Sequence, residues 1–201
     1  MSAYLVALDG AHIDAVVVGG GGVAERKARA LLEAGAQVRV IAPQPSSALD
    51  ALAGPRLSIA RRPFEDADVH GATLVIAATD RPEVNRRVAA VARAAGRLVN
   101  VASEPAAGTF VTVAMHRSGE LVVGVTAGGV PGAAARVRDA IARRFDARYG
   151  RAVGALGALR RRLLDTGRRD DWNRAADALL GNGFCDAVES GALARELGAW
   201  R

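Results

Sequence analysis

Four consecutive glycines, Gly19 to Gly22, end an apolar run at residues 13–18 and are followed at once by a segment that favours a helix. Gly19, Gly21 and Ala24 fit the spacing G-x-G-x-x-G/A, whose glycines allow a tight turn and let the backbone approach a pyrophosphate. The helix that follows offers its N-terminal N–H groups and the positive end of its dipole to phosphates. The stretch therefore predicts a nucleotide site, and the alternative is a turn with only a structural function.

Polar side chains follow two later apolar runs of the chain. They are Thr79 and Asp80 after the first run, and Asn100, Ser103 and Glu104 at the end of the second. Open α/β folds bind ligands at the carboxyl edge of the sheet, so we expect these side chains to lie near the nucleotide. Asp80 has a second interpretation, as the N-cap of a helix that begins at Pro82.

The segments that must position these residues alternate between strand and helix patterns. We expect helices at 23–34, 46–53 and 82–95, and strands at 37–41, 57–60, 73–78 and 97–101. Continuous apolar runs of this kind are typical of buried parallel strands. The predicted fold class is α/β, with a Rossmann-type doubly wound parallel sheet in a nucleotide-binding domain at residues 1–112.

The pattern changes after Gly108. Residues 109–116 and 120–126 are β-rich, and the segment 117–119 between them predicts a hairpin. A helix then carries Val137, Ile141 and Phe145 on one face and arginines on the other. We expect a small α+β domain at 113–148 and a helical C-terminal domain at 149–201. A hairpin with one helix is too small to bury its apolar face, so this small domain is predicted to form a homodimer.

The remaining composition limits the class of protein. No apolar run approaches the roughly 18 residues needed to span a bilayer, and no signal peptide is recognisable at the start. The single cysteine, Cys185, excludes an internal disulfide framework and, with no partner ligands nearby, a thiolate metal site. A cytoplasmic protein with no membrane partner and no resident metal is expected. His116 is interpreted as a surface hairpin residue rather than a ligand.

The positive charge is concentrated in one part of the chain. The formal net charge is +6, and eleven arginines lie between residues 136 and 169 against three aspartates. Such a field attracts a polyanion, although a solvated helical face is the simpler interpretation for any one arginine. Nucleic acid is not expected, because interleaved aromatic residues and a recognition motif are missing. A small substrate with several carboxylates explains the same charge.

Several motifs together resemble the siroheme synthase family, the precorrin-2 dehydrogenase and sirohydrochlorin ferrochelatase module. They are the string from Val18 to Lys27, residues 77–80 with Val84 and Asn85, residues 99–101, and Gly128 and Gly129 before Ala135 and Arg136. The resemblance covers nearly the whole chain. It implies a Rossmann domain, an intertwined dimerisation domain and a helical C-terminal domain. It also implies NAD-dependent oxidation of precorrin-2 to sirohydrochlorin, with insertion of ferrous iron in some members.

The resemblance also assigns residues to ligands. The implied NAD contacts are Gly22, Val23, Pro43 and Gln44 beside the glycine turn. The candidate cofactor contacts also include Gly19, Gly21 and Ala24 from the glycine spacing, and Thr79 and Asp80 from the edge of the sheet. The segment 42–44 lacks the acidic residue that usually holds the ribose. The resemblance implies a family that does not depend on that residue, so its absence is compatible with NAD. The implied residues for an anionic tetrapyrrole are Phe110, Gly128, Gly129 and Arg136.

The substrate-side motifs depart from the family pattern. The catalytic aspartate of the family falls at Ser103, and a serine hydroxyl is no carboxylate base near neutral pH. Glu104 is adjacent, but neighbours on an extended chain point to opposite sides, so it replaces the aspartate only in a changed loop. The proline expected at position 113 and the serines expected beside Gly128 are absent. Candidate catalytic residues are therefore Ser103, Glu104 and Asn100, and chelatase activity is doubtful.

Three functions stay open at this point. The first is an NAD-dependent dehydrogenase that oxidises precorrin-2. The second is a divergent paralogue that acts on a different anionic substrate or a metal complex. The third is a protein that binds NAD or a tetrapyrrole without catalysis.

Overall fold

The computed structural model describes residues 3–200. The chain forms two compact units, the first ending at Thr112 and the second beginning at Val113. Each unit has its own core, and each is described by itself. The further boundary expected at 148/149 stays a prediction.

The first unit is built on a parallel sheet of five strands in the order β3-β2-β1-β4-β5. The strands are β1 (Asp14–Val18), β2 (Gln37–Ile41), β3 (Leu57–Ala60), β4 (Leu74–Ala77) and β5 (Leu98–Val101). The helices are α1 (Gly22–Glu33), α2 (Ser47–Asp50) and α3 (Pro82–Ala94), with 3₁₀ turns at Gly10–His12, Asp66–Val69 and Pro105–Ala107. This order, with the crossover after β3, confirms the predicted Rossmann-type fold class.

The central strands are buried on both faces, which explains their continuous apolar sequence. Val17 of β1 lies beside Ile76 of β4, and both belong to the core cluster that includes Ala24 and Ala28 of α1. Val16 and its neighbours on the opposite face pack with residues of α3. The two helical layers hold the carboxyl ends of β1, β2, β4 and β5 along one edge.

The segment after β5 returns along that strand instead of starting the hairpin. The backbone N–H groups of Thr109 and Phe110 both donate to the Val99 carbonyl oxygen, at 2.7 and 3.3 Å. The Thr109 hydroxyl accepts from the Val99 N–H at 2.8 Å, and a Cβ on Gly108 would lie 2.7 Å from the Val99 oxygen. The expected strand over 109–116 was therefore wrong in its first half, because residues 109 and 110 bond to β5.

The second unit consists of an antiparallel hairpin and five helices among its described residues. The elements are β6 (Ala114–Ser118), β7 (Leu121–Val125), α4 (Pro131–Arg144), α5 (Ala147–Asp165), α6 (Arg169–Leu179), α7 (Phe184–Ser190) and α8 (Ala192–Glu196), followed by a 3₁₀ turn at Leu197–Trp200. The hairpin turn is shorter than predicted. Ser118 pairs with Leu121, so the connection is Gly119 and Glu120 alone.

The core of the second unit is centred on Tyr149, whose side chain is buried. Its hydroxyl donates to Glu189 Oε1 at 2.7 Å, and burial raises the Tyr149 pKa well above its usual range. At the next position α5 lies directly on the hairpin, since a Cβ on Gly150 would be 2.4 Å from the Ser118 carbonyl oxygen. On α4, Ala134 is buried within the unit, whereas Val137 of the predicted apolar face is 48% exposed.

Candidate functional site

The first two glycines of the turn are required by the packing of the protein itself. Gly19 has a φ of +137°, a conformation that L-residues with side chains rarely adopt. A Cβ there would lie 2.3 Å from the Ala78 carbonyl oxygen, and a Cβ on Gly20 would lie 2.4 Å from that of Gln44. These two glycines therefore let β1, β4 and the segment after β2 come together.

The next two glycines have no such structural reason. No heavy atom of the described residues lies within 4 Å of a Cβ built on Gly21 or on Gly22, and both residues are exposed. Gly21 is extended, with φ −93° and ψ −174°, which any residue can adopt. The absence of side chains here keeps an open surface beside the backbone. Such an open surface fits the close approach of a pyrophosphate.

Helix α1 begins at this open surface with free donors. Its N-cap, Gly21, provides no side-chain cap, and the first hydrogen bond within the helix runs from Glu25 N–H to the Gly21 carbonyl oxygen at 3.0 Å. The N–H groups of Gly22, Val23 and Ala24 thus precede that bond and have no partner within the helix. Free N–H groups at the positive end of a twelve-residue helix are suited to bind a phosphate.

The segment after β2 lies beside the glycine turn. The Gly20 carbonyl oxygen accepts from the Ser46 N–H at 2.9 Å, which draws Pro43 and Gln44 against the turn. Both of these residues are exposed. Their position next to the open glycines is where the ribose of a dinucleotide lies in this fold. The predicted contacts Pro43 and Gln44 are therefore brought together with Gly22 and Val23.

A buried amide joins the ends of β4 and β5, and sequence reasoning missed its importance. Asn85 of α3 is 2% exposed. Its Oδ1 accepts from the Thr79 N–H at 3.1 Å and from the Thr79 hydroxyl at 2.7 Å, and its Nδ2 donates to the Thr79 carbonyl oxygen at 3.0 Å. The same Nδ2 lies 3.4 Å from Ser103 Oγ. Asn85 is thus the link between the two loops that follow these strands.

The N-cap interpretation of Asp80 was wrong. The N-cap of α3 is Arg81, whose N–H donates to the Thr79 hydroxyl at 3.2 Å. The helix has no side-chain cap, so the exposed Asp80 side chain is not used by it. Its predicted contact with a ligand stays a prediction.

Ser103 and Glu104 contact successive residues of α3. Ser103 Oγ faces Asn85, whereas Glu104 Oε2 lies 3.7 Å from Arg86 Nε in an ion pair with both side chains more than half exposed. Such an exposed pair contributes little to stability. Glu104 therefore does not take the position that Ser103 occupies.

Asn100 holds the returning segment and keeps one polar atom without a partner. Its side chain is 4% exposed, and Nδ2 donates to the Phe110 carbonyl oxygen at 3.1 Å. Oδ1 is buried and accepts no hydrogen bond from the described residues. An unpaired buried acceptor is costly, so it marks this end of β5 as a place where a further donor would stabilise the fold. Phe110 itself packs partly buried against the α1 side of the core.

Lys27, the only lysine of the chain, is a further residue that sequence reasoning did not single out beyond its motif. Its Nζ donates to Thr112 Oγ1 at 2.5 Å. Burial, and secondarily the charge of Arg26, hold the Lys27 pKa below its usual range. The ammonium group thus fixes the end of the first unit to the helix that follows the glycine turn.

The other predicted residues belong to the second unit. Gly128 and Gly129 form an open turn with φ values of +53° and +88°, and Arg136 is exposed on α4. His116, expected as a surface hairpin residue, does lie on β6 but is partly buried, with Nε2 2.6 Å from the Phe145 carbonyl oxygen. Cys185 is partly buried against the core of this unit.

A separate cleft of about 290 Å³ opens at the amino edge of the sheet, away from the glycine turn. Its lining includes Asp14, Arg39, Arg56 and His70. Arg39 Nη2 already donates to the Asp68 carbonyl oxygen at 2.6 Å, and Arg56 lies near Gly35 at the end of α1. Ligands of open parallel sheets bind at the carboxyl edge instead, so this cleft is not the candidate site.

Residues 3–200 offer no cluster of metal ligands and no membrane-spanning helix. No group of three or more histidine, cysteine, aspartate or glutamate side chains in this range is arranged to hold a metal ion. Within the same range, no helix has the length and apolar character that crossing a bilayer requires.

The five-stranded sheet, the open glycine pair and the uncapped helix define a Rossmann-type dinucleotide-binding protein. Residues 6–114 match the family described as "Putative NAD(P)-binding". The chain belongs to this family, as an NAD-binding module of the siroheme synthase type. The predictions of the family and of NAD as cofactor are thereby confirmed.

The relatives are bacterial siroheme synthases. The chain is 43% identical to that of Ectopseudomonas mendocina (strain ymp) over 136 residues, which are 67% of this chain and 29% of the relative. It is 37% identical to that of Chromobacterium violaceum over 191 residues, or 91% of this chain and 40% of the relative. The chain thus matches between about a third and two fifths of the length of these relatives.

A solved structure shares the fold. The chain matches "SirC, precorrin-2 dehydrogenase" with a TM-score of 0.76 over 98% of this chain and all of that one. The two sequences are 21% identical. At that identity the likeness concerns the fold.

Proposed function

We propose that the protein is an NAD-dependent dehydrogenase that oxidises precorrin-2 to sirohydrochlorin. The observation that carries the proposal is the open pair Gly21 and Gly22 at the uncapped start of α1, in a chain related to siroheme synthases. The solved structure that shares the fold bears the name of this activity.

The cofactor would be held by backbone groups of the first unit. The free N–H groups of Gly22, Val23 and Ala24 would bind the pyrophosphate, and the exposed Pro43 and Gln44 would hold the ribose. No acidic side chain follows β2, so the ribose hydroxyls would bond to backbone groups or to Gln44. Bound NAD⁺ supplies the hydride acceptor of the reaction.

The residues at the ends of β4 and β5 would orient the substrate toward that acceptor. Asn85 fixes Thr79 and Ser103 relative to one another through hydrogen bonds of 2.7 to 3.4 Å. Oxidation removes a hydride and a proton from the substrate. Ser103 is no carboxylate base, so the proton leaves to solvent at this exposed edge. Hydride transfer depends chiefly on placement, which the loops provide without a carboxylate at position 103.

Chelation of ferrous iron is not part of the proposal. Metal insertion needs a group that accepts the pyrrole protons, and the position of the family aspartate holds Ser103. Glu104 is turned to Arg86. Insertion of ferrous iron is therefore expected to be carried out by another protein.

A homodimer is also proposed, formed through the outer face of the hairpin and of α4. Met115, Val122, Val130 and Val137 are exposed there by 42 to 59%. A two-stranded sheet is marginal by itself and gains stability when such a face is covered. Light scattering at increasing concentration tests this, and a monomer throughout would contradict it. A cytoplasmic location likewise stays a prediction.

The test of the proposed reaction is anaerobic incubation of the purified protein with NAD⁺ and precorrin-2. We expect sirohydrochlorin and NADH to form in equal amounts. No NADH and no sirohydrochlorin would refute the dehydrogenase. Retained binding of NAD⁺ and sirohydrochlorin without turnover would favour the non-catalytic binding protein, a function that Ser103 in place of the family carboxylate supports.

A further inference from the structure

The orientation of the Asn85 amide is fixed by the backbone of Thr79. A backbone N–H only donates, so the atom 3.1 Å from it is the amide oxygen Oδ1. A carbonyl oxygen only accepts, so the atom 3.0 Å from it is the amide nitrogen Nδ2. The two contacts exclude a flipped amide.

This orientation determines the direction of the hydrogen bond to Ser103. Nδ2 lies 3.4 Å from Ser103 Oγ and can only donate, so the hydroxyl oxygen accepts there. The hydroxyl hydrogen must therefore point to a different partner. Among residues 3–200, no acceptor takes a hydrogen bond from Ser103, and its side chain is exposed at the carboxyl edge of the sheet.

We infer that Ser103, oriented by Asn85, presents a hydrogen-bond donor to an acceptor oxygen of the bound substrate, and that this donor selects a carboxylate or carbonyl group at that position. The inference rests on the proposed function for the identity of the ligand, a polycarboxylate tetrapyrrole. A carboxylate at position 103, as the resemblance places there in relatives, would receive the same N–H from Asn85. It would then offer only acceptor lone pairs to the ligand and would repel another carboxylate.

Ser103 thus offers a hydrogen-bond donor to the ligand at a position where a carboxylate would offer only acceptors. A site with an acceptor there favours a protonated nitrogen or a cation, whereas a site with a donor favours an anionic oxygen. Charge-assisted hydrogen bonds are about twice as strong as neutral ones, so the donor at Ser103 favours an anionic oxygen of the substrate over a neutral one.

Binding of sirohydrochlorin, followed by its absorbance, tests the inference with three variants. Loss of a hydrogen bond to a charged group is expected to weaken binding about tenfold in Ser103→Ala. Ser103→Asp should weaken it further because two like charges meet. Ser58→Ala, an exposed serine of β3, is the matched control and should bind as the wild type does. Binding by Ser103→Asp equal to or tighter than the wild type would overturn the inference.

A second measurement needs no tetrapyrrole. In Ser103→Asp, ¹³C NMR titration should give the new carboxyl a pKa below the usual value of about 3.9, because Asn85 donates to its ionised form. The Asn85 side-chain amide signals should shift in step. The double variant Ser103→Asp/Arg86→Gln controls for the charge of the nearby Arg86 guanidinium. The pKa of the new carboxyl should stay largely lowered in it, because the hydrogen bond from Asn85 is kept. A normal pKa with unmoved Asn85 signals would show that the hydrogen bond is absent.

The two measurements separate the possible failures. Wild-type protein that binds no sirohydrochlorin and oxidises no precorrin-2 refutes the proposed function and the choice of ligand. The NMR titration then still decides whether Ser103 faces Asn85 as an acceptor. Tight binding that is indifferent to Ser103→Ala refutes the inference and leaves the dehydrogenase intact.

Discussion

Replacing Gly21 by alanine should separate cofactor binding from folding. The backbone at Gly21 is extended, and a Cβ there meets no heavy atom within 4 Å, so the methyl group causes no clash inside the protein. Alanine is a poorer N-cap than glycine, which costs at most about 1 kcal/mol of the free energy of unfolding. The methyl group does occupy the surface that a pyrophosphate would approach. We expect the Kd for NAD⁺ to rise at least about tenfold, or about 1.4 kcal/mol.

The matched control is Gly19→Ala in the same turn. It places a Cβ 2.3 Å from the Ala78 carbonyl oxygen at a φ of +137°, so the strand or the loop must shift. A strained backbone and a close contact together should lower the free energy of unfolding by about 3 kcal/mol or more. Urea unfolding gives the stability of both variants, and isothermal titration calorimetry gives the Kd for NAD⁺.

The result that would refute this reasoning is a wild-type Kd in Gly21→Ala. The open space beside Gly21 would then have no connection with the cofactor, and the four glycines would form a structural turn only. A loss of stability in Gly21→Ala as large as in Gly19→Ala would show instead that the open space is filled in solution by the protein itself.

Three further predictions concern stability. Arg62 donates two hydrogen bonds to buried Asp68 and holds the pKa of that carboxyl below its usual range, so Asp68→Asn should lower the free energy of unfolding by about 1–2 kcal/mol at neutral pH. Because the folded pKa is the lower one, the gap between wild type and variant should stay constant above about pH 5 and shrink as the pH falls below about 4, which acid titration of urea midpoints measures. Tyr149→Phe removes the hydrogen bond to Glu189 and should lower the free energy of unfolding, measured with urea, by about 1 kcal/mol. The Kd for NAD⁺ should not change, because the role of Tyr149 is structural. Gly150→Ala places a Cβ 2.4 Å from the Ser118 carbonyl oxygen of the hairpin and should lower the urea midpoint for unfolding of the second unit. An unfolding midpoint equal to that of the wild type would contradict this close packing.

Most of the parallel sheet could be predicted because its strands are continuously apolar. The structure has β2 at Gln37–Ile41 and β3 at Leu57–Ala60, as expected from the sequence. Helix ends were predicted to within one or two residues for α1 and α3, where Gly35 and Pro82 are clear signals. Local pattern decides these elements, so the sequence alone is sufficient.

The errors occur where distant parts of the chain compete for the same groups. Residues 109 and 110 have β propensity, yet their N–H groups bond to Val99 rather than to the hairpin. Arg81 is the N-cap that Asp80 was expected to be, and its N–H bonds to the Thr79 hydroxyl. No single-sequence pattern contains these three-dimensional relations.

The candidate site was predictable in part for the same reason. The glycine spacing located the cofactor turn, but it did not distinguish Gly19 and Gly20, which the fold needs, from Gly21 and Gly22, which it does not. Asn85 was visible only as a motif residue, since its importance depends on contacts with Thr79 and Ser103, the latter eighteen positions away.

The single lysine is a unique site for chemical modification among the side chains of the protein. An amine-reactive reagent has only Lys27 among the side chains to modify, and a lowered pKa leaves more of its amine unprotonated and nucleophilic than in an ordinary lysine. The bond to Thr112 withholds that amine from the reagent. The rate of Lys27 acylation, followed by mass spectrometry, therefore measures how often the end of the first unit detaches from α1.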